Sequence, residues 1–138
     1  MSLPPANPVG DSQSIEVAVC GAHLEGLPLN WQLQERGGVL SETTCTAQAY
    51  RMFALPGGPP FRPGLIRDTD QGSKIAVEVW TLPLKEFGSF VANIPAPLGI
   101  GKLELADGRW VSGFICEPCG IEAAEEISHL GDWRRYLG

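Results

Sequence analysis

The side chain best suited to chemistry is that of His23, which follows a short apolar stretch ending at Gly21-Ala22. An imidazole takes up or releases a proton near neutral pH, and a glycine at a strand end lets backbone N–H groups face a ligand. His23 is therefore a candidate for acid–base catalysis, or it hydrogen-bonds the turn that follows it. Asn30 closes the same stretch, where its amide could orient a carboxylate or cap the turn.

Three other polar side chains are candidates for binding. Glu78 lies in mid-strand on the face that it shares with Trp80, so its carboxylate either lines an interior pocket or is solvated at a sheet edge. Arg67 could hold a carboxylate through two parallel hydrogen bonds, or it is a surface arginine beside Asp68. Tyr50 could supply a hydroxyl group, and the arginine after it a second cation.

The chain has four cysteines, and Cys116 and Cys119 have a spacing found in metal and redox sites. A structural zinc site usually needs a second cluster of ligands, and no second Cys-x-x-Cys is present. Glu117 between the two thiols disfavours a reactive thiolate. We therefore expect free thiols in a reducing compartment, with no metal ion and no cofactor.

The strands that must position these residues follow from hydrophobic periodicity. Apolar and alternating stretches predict three strands, over residues 15–20, 30–38 and 74–82. Residues 101–116 predict a hairpin in which Asp107-Gly108 is the two-residue turn, so that Leu105 lies opposite Trp110.

Two helices are predicted in the second half of the chain. Pro83 suits the first turn of a helix that ends near Asn93, before Pro95. Ser128 is the predicted N-cap of a last helix that carries Trp133. Many short strands with two or three short helices indicate an α+β domain built on a small, mixed, barrel-like sheet.

Composition limits the classes of function. The 138 residues suit one domain over 15–138, preceded by a flexible arm over the proline- and serine-rich residues 1–14. The net charge of −6 argues against a nucleic-acid-binding surface. The sequence has no apolar run long enough to span a bilayer and no signal-peptide pattern, so we expect a cytoplasmic protein without a membrane partner.

Residues 20–30, which read Cys-Gly-Ala-His-Leu-Glu-Gly-Leu-Pro-Leu-Asn, resemble the signature that opens the C-terminal domain of allophanate hydrolases. Further strings resemble the same family: Tyr50-Arg51, Pro63-Gly64-Leu65-Ile66-Arg67, Glu78-Val79-Trp80-Thr81-Leu82-Pro83, Phe87-Gly88-Ser89-Phe90-Val91, residues 94–101 and Trp133-Arg134-Arg135-Tyr136. The resemblance covers residues 15–137 and implies a fold similar to that of the γ-glutamylcyclotransferases.

The resemblance also implies a function. The domain would act on N-carboxycarbamate, the product of the amidase step, and assist its decarboxylation during urea and allophanate degradation. His23 matches the motif histidine, to which a catalytic role is assigned in the family; protonated, it would neutralise the charge that grows on nitrogen. The candidate groups for binding the small anion are the backbone of Gly21, Ala22 and Leu24 and the side chains of Asn30, Tyr50, Arg67 and Glu78.

Other functions stay open at this point. Nothing in the chain resembles the Ser-Ser-Lys arrangement of the amidase half, so we expect no amide cleavage. The domain could instead be a non-catalytic module that holds a small carboxylate or docks on a separate amidase, as a monomer or a homo-oligomer. A γ-glutamylcyclotransferase-type activity would use Glu78 as the base, and it requires Glu78 and His23 in one cavity. Residues 91–98 also lack the acid that those enzymes place there.

Overall fold

A computed structural model describes residues 13–138. Along this range the elements are β1 (Ser14–Val19), α1 (Trp31–Glu35), β2 (Val39–Cys45), β3 (Tyr50–Ala54), β4 (Pro63–Arg67), β5 (Ala76–Pro83), α2 (Leu84–Ala92), β6 (Leu98–Glu104), β7 (Trp110–Cys116), a 3-10 helix (Pro118–Ile121), β8 (Glu125–Glu126) and α3 (Trp133–Leu137). None of the helices in this part of the chain is long and apolar enough to cross a membrane.

Two sheets form the framework of the domain. The larger has the strand order β2-β5-β1-β7-β6, and its neighbours pair antiparallel except β1 and β7, which run parallel with Val17 opposite Ser112. The smaller sheet has the order β4-β3-β8. The predicted α+β fold with a mixed sheet is confirmed, although the two sheets do not close into a barrel.

The core is centred on β1 and β5. Val17 and Val79 are 0% exposed, and residues that point to the opposite sheet face are also buried, with Ala18 at 1% and Trp80 at 3%. Burial of one valine side chain contributes about 1.5–3 kcal/mol to stability. The predicted strands over 15–20 and 74–82 and the predicted helix after Pro83 are confirmed as β1, β5 and α2.

The predicted strand over 30–38 is wrong, because the helix α1 occupies Trp31–Glu35. Successive hydrogen-bonded turns along residues 21–30 lead the chain directly into this helix. One helical turn buries Leu33 and leaves Trp31 55% exposed. The apolar residues that suggested alternation therefore do not share a buried face.

The predicted hairpin forms from β6 and β7, but its predicted register is wrong by one residue. Leu105 N donates to Arg109 O at 2.8 Å, and Glu104 lies opposite Trp110. The loop has one more residue than predicted because Gly108, at φ +93°, takes the left-handed position of a bulged turn. Trp110 is consequently 53% exposed while Leu105 is buried, since a shift of one residue exchanges the two sheet faces.

The last helix begins later than predicted. Asp132 caps α3 by accepting a hydrogen bond from Arg134 N at 2.9 Å. Ser128, the predicted cap, instead accepts a hydrogen bond from Met52 N at 2.8 Å and so ties the chain after β8 to β3.

The predicted N-terminal arm, residues 1–14, lies outside the described residues except at its end. There, Gln13 O accepts a hydrogen bond from Leu84 N at 2.9 Å, and Ser14 is already the first residue of β1. Regular structure therefore includes Ser14, one residue before the predicted boundary.

Candidate anion-binding site around His23

The segment over residues 21–30, called the His23 loop below, follows the buried end of β1. Inside the loop, Leu24 N donates to Gly21 O at 3.0 Å, so the Leu24 amide is occupied by the turn. A Cβ atom on Gly21 would lie 2.3 Å from Pro63 Cδ. Glycine is therefore required where the loop packs against the start of β4.

Asn30 fixes the end of the His23 loop through hydrogen bonds. Its Nδ2 donates to His23 O at 2.8 Å, and its Oδ1 accepts from Gln34 Nε2 at 2.8 Å. The side chain is 4% exposed. Because both ends of this amide have protein partners, Asn30 links the backbone of His23 to the helix α1.

The imidazole of His23 is enclosed by aromatic rings. Its ring centroid lies 4.9 Å from that of Phe114 and 5.3 Å from that of Phe90, and the residue is 4% exposed. Its Nε2 lies 2.8 Å from Gln32 Oε1. Since a carbonyl oxygen can only accept, Nε2 carries the proton and Nδ1 of the neutral ring carries the lone pair.

Burial lowers the pKa of His23 from 6.5 to about 4; the hydrogen bond to Gln32 opposes this shift, and the positive charge of Arg62 adds to it. The ring is therefore neutral at pH 7 in the unliganded protein. The expected imidazolium is not the resting form of this residue.

A small cavity of about 20 Å³ lies beside the ring. Its lining residues are Val19, Cys20, Gly21, Ala22, His23, Arg62, Pro63, Leu98 and Phe114. The cavity volume is sufficient for about one water-sized group. Gly21, Ala22 and His23, three of the sequence-predicted site residues, therefore meet at one place.

Residues with unpaired donors line this cavity. Among residues 13–138, no acceptor takes a hydrogen bond from the N–H groups of Ala22 and His23, and no carboxylate pairs with the guanidinium of Arg62. Partial burial lowers the pKa of Arg62, which remains a cation at neutral pH. Two N–H donors and an uncompensated cation are the groups that bind an anion.

Glu78 belongs to a different cluster. Its Oε1 accepts from Glu25 N at 2.8 Å and from Trp80 Nε1 at 3.0 Å, and its Oε2 lies 3.2 Å from Arg134 Nη2. Arg134 Nη2 also donates to Glu25 O at 2.6 Å. The adjoining cavity of about 230 Å³ is lined by Leu24, Thr43, Ala76, Val77, Glu78, Asp132 and Arg134.

The two clusters do not share a cavity, because the lining of the Glu78 cavity does not include His23. The requirement of a cyclotransferase-type mechanism, with Glu78 and His23 in one cavity, is thus not met. Glu78 and Arg134 instead hold the peptide groups on both sides of Glu25.

The family model of the allophanate hydrolase C-terminal domain matches residues 15–138. This chain belongs to that family. A curated relative, the urea amidolyase of Saccharomyces cerevisiae, is 47% identical over 130 residues, which are 91% of this chain and 7% of that protein. The chain thus spans a small fraction of the length of its curated relatives.

Solved structures of the family superpose closely on this domain. An allophanate hydrolase from Kluyveromyces lactis has a TM-score of 0.87 and 42% identity, with 91% of this chain and 21% of that chain covered. A uropathogenic E. coli-specific protein has a TM-score of 0.85 and 37% identity, with 91% of this chain and 97% of that chain covered. The allophanate hydrolase C-terminal fold therefore also occurs in a chain of about this size.

A more distant likeness shows the fold alone. An uncharacterised protein from Pyrococcus horikoshii has a TM-score of 0.65 at 18% identity, and an AIG2-like protein from Mus musculus has a TM-score of 0.54 at 15% identity. The γ-glutamylcyclotransferase-like fold expected from the resemblance is confirmed.

Tyr50 and Arg67, the other predicted binding residues of this family domain, lie away from the His23 cavity. Arg67 is four residues along β4 from Pro63, a separation of about 13 Å at the rise of a strand. Its guanidinium donates to Tyr50 Oη at 3.1 Å and pairs with Glu104 Oε1 at 2.9 Å. It also lies 4.7 Å from the ring centroid of Trp110.

Arg62 is the site residue that sequence reasoning missed. It follows soon after the glycine- and proline-rich segment 56–60, a composition typical of a surface loop. The available signal was its position directly before Pro63, the residue on which Gly21 packs. That contact depends on the arrangement of β1 and β4, which local periodicity does not reveal.

The cysteines are free thiols, and all four lie within the described residues. Burial raises the pKa of Cys20 to about 12, and burial raises that of Cys116 as well, with further contributions from Cys119 and Glu117. Both thiols are poor nucleophiles for this reason. Within residues 13–138, no three histidine, cysteine or carboxylate side chains form a metal-binding group.

Proposed function

We propose that this domain binds N-carboxycarbamate at the His23 cavity and assists its decarboxylation during allophanate degradation. The observation that carries the proposal is that Arg62 and two residues with unpaired backbone N–H groups line one cavity with a buried imidazole. Family membership supplies the pathway, because the relatives are an allophanate hydrolase and a urea amidolyase. Four free thiols support a reducing, cytoplasmic setting.

Each group has a distinct task in this mechanism. Arg62 and the N–H groups of Ala22 and His23 bind carboxylate oxygens, which are acceptors only. As the C–N bond to the departing carboxylate breaks, its electron pair stays on nitrogen and carbon dioxide leaves. The nitrogen then takes a proton from the imidazolium of His23, and the product is carbamate.

The proton must arrive together with the substrate. In the unliganded site burial keeps His23 neutral, whereas a bound dianion favours the charged imidazolium. We infer that binding of the anion raises the pKa of His23 and that a proton is taken up in the same step. Arg62 then compensates the charge of the second carboxylate.

A second candidate is a non-catalytic module that docks on a separate amidase. The curated relatives favour it, since they carry this domain within much longer chains. Self-association of the domain is compatible with both functions. In the docking function, His23 makes no contribution to the time course of carbon dioxide release.

A coupled assay distinguishes the two functions. A separate allophanate-cleaving amidase supplies N-carboxycarbamate, and release of ammonia and carbon dioxide is followed with and without this protein. We expect the wild type to accelerate carbon dioxide release, and His23→Ala to abolish the acceleration while circular dichroism shows a folded chain. The matched control is His129→Ala, at the exposed second histidine. Retained acceleration in His23→Ala contradicts the mechanism.

A further inference from the structure

The His23 cavity adjoins a larger groove of about 480 Å³. Arg62 and Leu98 line both spaces, so the two are neighbours. The remaining lining of the groove consists of Leu55, Pro56, Gly57, Gly58, Pro60, Pro95, Ala96, Pro97, Cys119, Gly120, Glu122 and Ala123. Volumes of roughly 300–1,000 Å³ are typical of sites for small organic ligands.

The groove is much larger than the proposed dianion needs. The dianion is a compact molecule, of which the His23 cavity of about 20 Å³ can enclose about one water-sized group, such as a carboxylate oxygen. The groove must therefore hold the rest of the ligand or remain filled with water. Its volume is the first indication that this domain takes ligands with a substituent.

The lining of the groove restricts the chemistry of that substituent. Its walls are mostly apolar, with Leu55, Pro97 and Leu98 among them. Arg62 is the one basic residue of the lining and stands where the groove meets the His23 cavity, whereas Glu122 adds a negative charge within the groove. A carboxylate close to Glu122 is repelled, so a substituent that extends past Arg62 is accepted when it is uncharged and apolar.

We propose that the cavity and the groove form one site for a monocarboxylate or an N-substituted carbamate. The carboxylate head contacts Arg62 and the N–H groups of the His23 loop, and an uncharged apolar substituent lies along the groove. This inference rests on the anion-binding part of the proposed function. It adds a class of ligand beyond N-carboxycarbamate.

The test compares straight-chain monocarboxylates on the whole chain. Acetate, butyrate and hexanoate are titrated into 15N-labelled protein, and dissociation constants are obtained from amide chemical shifts. Each methylene that enters an apolar site improves affinity by up to roughly fourfold. We expect affinity to increase from acetate to hexanoate, with shifts around the groove appearing for the longer acids.

Two variants separate the head group from the substituent. Ala123→Trp fills the groove at an exposed position and should remove the gain with chain length while acetate still binds. Its control is Ala92→Trp, at an exposed alanine outside both linings. Arg62→Ala should weaken all three acids by a similar factor.

The outcomes distinguish this inference from the function on which it rests. Acetate binding that depends on Arg62, with no gain for hexanoate, overturns the groove inference and leaves the anion site in place. A gain that persists in Ala123→Trp also overturns it, because the substituent then lies elsewhere. If no acid binds in an Arg62-dependent manner, both the groove inference and the anion site fail.

Discussion

The two polar clusters at the His23 loop differ in how completely their groups are paired. Around Glu25, each oxygen of the Glu78 carboxylate has a donor, and Arg134 joins that carboxylate to a backbone carbonyl. Around His23, an arginine and two backbone N–H groups have no partner among residues 13–138. The first arrangement stabilises the loop.

The second arrangement is unfavourable in the absence of a ligand, because partly buried donors without acceptors lower stability. A site that binds an anion must nevertheless keep such donors free and in fixed positions. We infer that the fully paired cluster at Glu25, two residues after His23, helps to keep the open cluster of unpaired donors at His23 in place. We therefore expect substitutions in the first cluster to change folding and substitutions in the second to change binding.

Removal of the Glu78 carboxylate should have the largest effect. Glu78→Leu leaves the Trp80 indole N–H and the Glu25 N–H without their acceptor and removes the carboxylate that pairs with Arg134. We expect the free energy of unfolding, measured with urea, to fall by roughly 3–4 kcal/mol.

The control for that substitution is Glu104→Ala, which removes the half-exposed partner of Arg67. An ion pair of this kind contributes less than about 1 kcal/mol. Equal losses in the two variants would show that the Glu25 cluster has no special role in stability.

The pH dependence of stability should reveal the buried histidine, His23. His23 is protonated near pH 6.5 in the unfolded chain but only near pH 4 in the folded one. The contribution of the neutral ring to the free energy of unfolding is therefore complete above pH 6.5. On acidification to pH 4 the free energy of unfolding falls by roughly 3 kcal/mol, because the unfolded chain binds a proton that the folded chain does not.

That contribution is isolated by comparing urea unfolding of the wild type and His23→Asn between pH 7 and pH 4. The imidazole signals of a His129→Gln variant give the pKa directly by NMR, since His23 is then the remaining histidine. A titration of His23 near pH 6.5 in the folded protein would contradict the buried neutral ring.

Two arginines offer the clearest contrast between binding and folding. We expect Arg62→Ala to weaken acetate binding at least about tenfold, since a charge-assisted hydrogen bond contributes about 1.5–3 kcal/mol. Its free energy of unfolding should change by less than about 0.5 kcal/mol. Arg134→Ala should show the reverse, with lower stability and, in the folded fraction, nearly unchanged affinity. A similar profile for both variants would remove the distinction between the clusters.

The sequence predicted the elements whose signals are local. β1 and β5 follow from continuous apolar residues, and α2 follows from Pro83 and the helical spacing after it. The hairpin register was wrong because Asp-Gly is compatible with two loop lengths, and only the packing of Leu105 selects one of them.

The site was predicted where it lies on one continuous stretch and missed where it depends on two strands meeting. His23 and its neighbours come from a single motif. Arg62 reaches the cavity only because β4 begins beside Gly21, whereas Arg67 is carried to the other end of the same strand. A list of cationic residues cannot separate these two arginines without the order of the strands.

The smallest expected effect is a change in the pKa of His23 itself. Gln32→Glu places a carboxylate where the amide oxygen lies 2.8 Å from Nε2. An adjacent negative charge favours the imidazolium, so the pKa of His23 should rise from about 4 toward 6.5. NMR titration measures the shift, and Gln48→Glu, at an exposed position outside α1, is the control.

This variant also tests how proton uptake and anion binding are linked. If the anion raises the pKa of His23 in the wild type, calorimetry in buffers of different ionisation enthalpy should show proton uptake on binding near pH 6. In Gln32→Glu part of that proton is already bound, so the uptake per anion should be smaller. The added carboxylate should also weaken the anion's affinity through repulsion. Unchanged uptake in the variant would mean that the proton goes to a group other than His23, and the open cluster would then bind anions without preparing an acid.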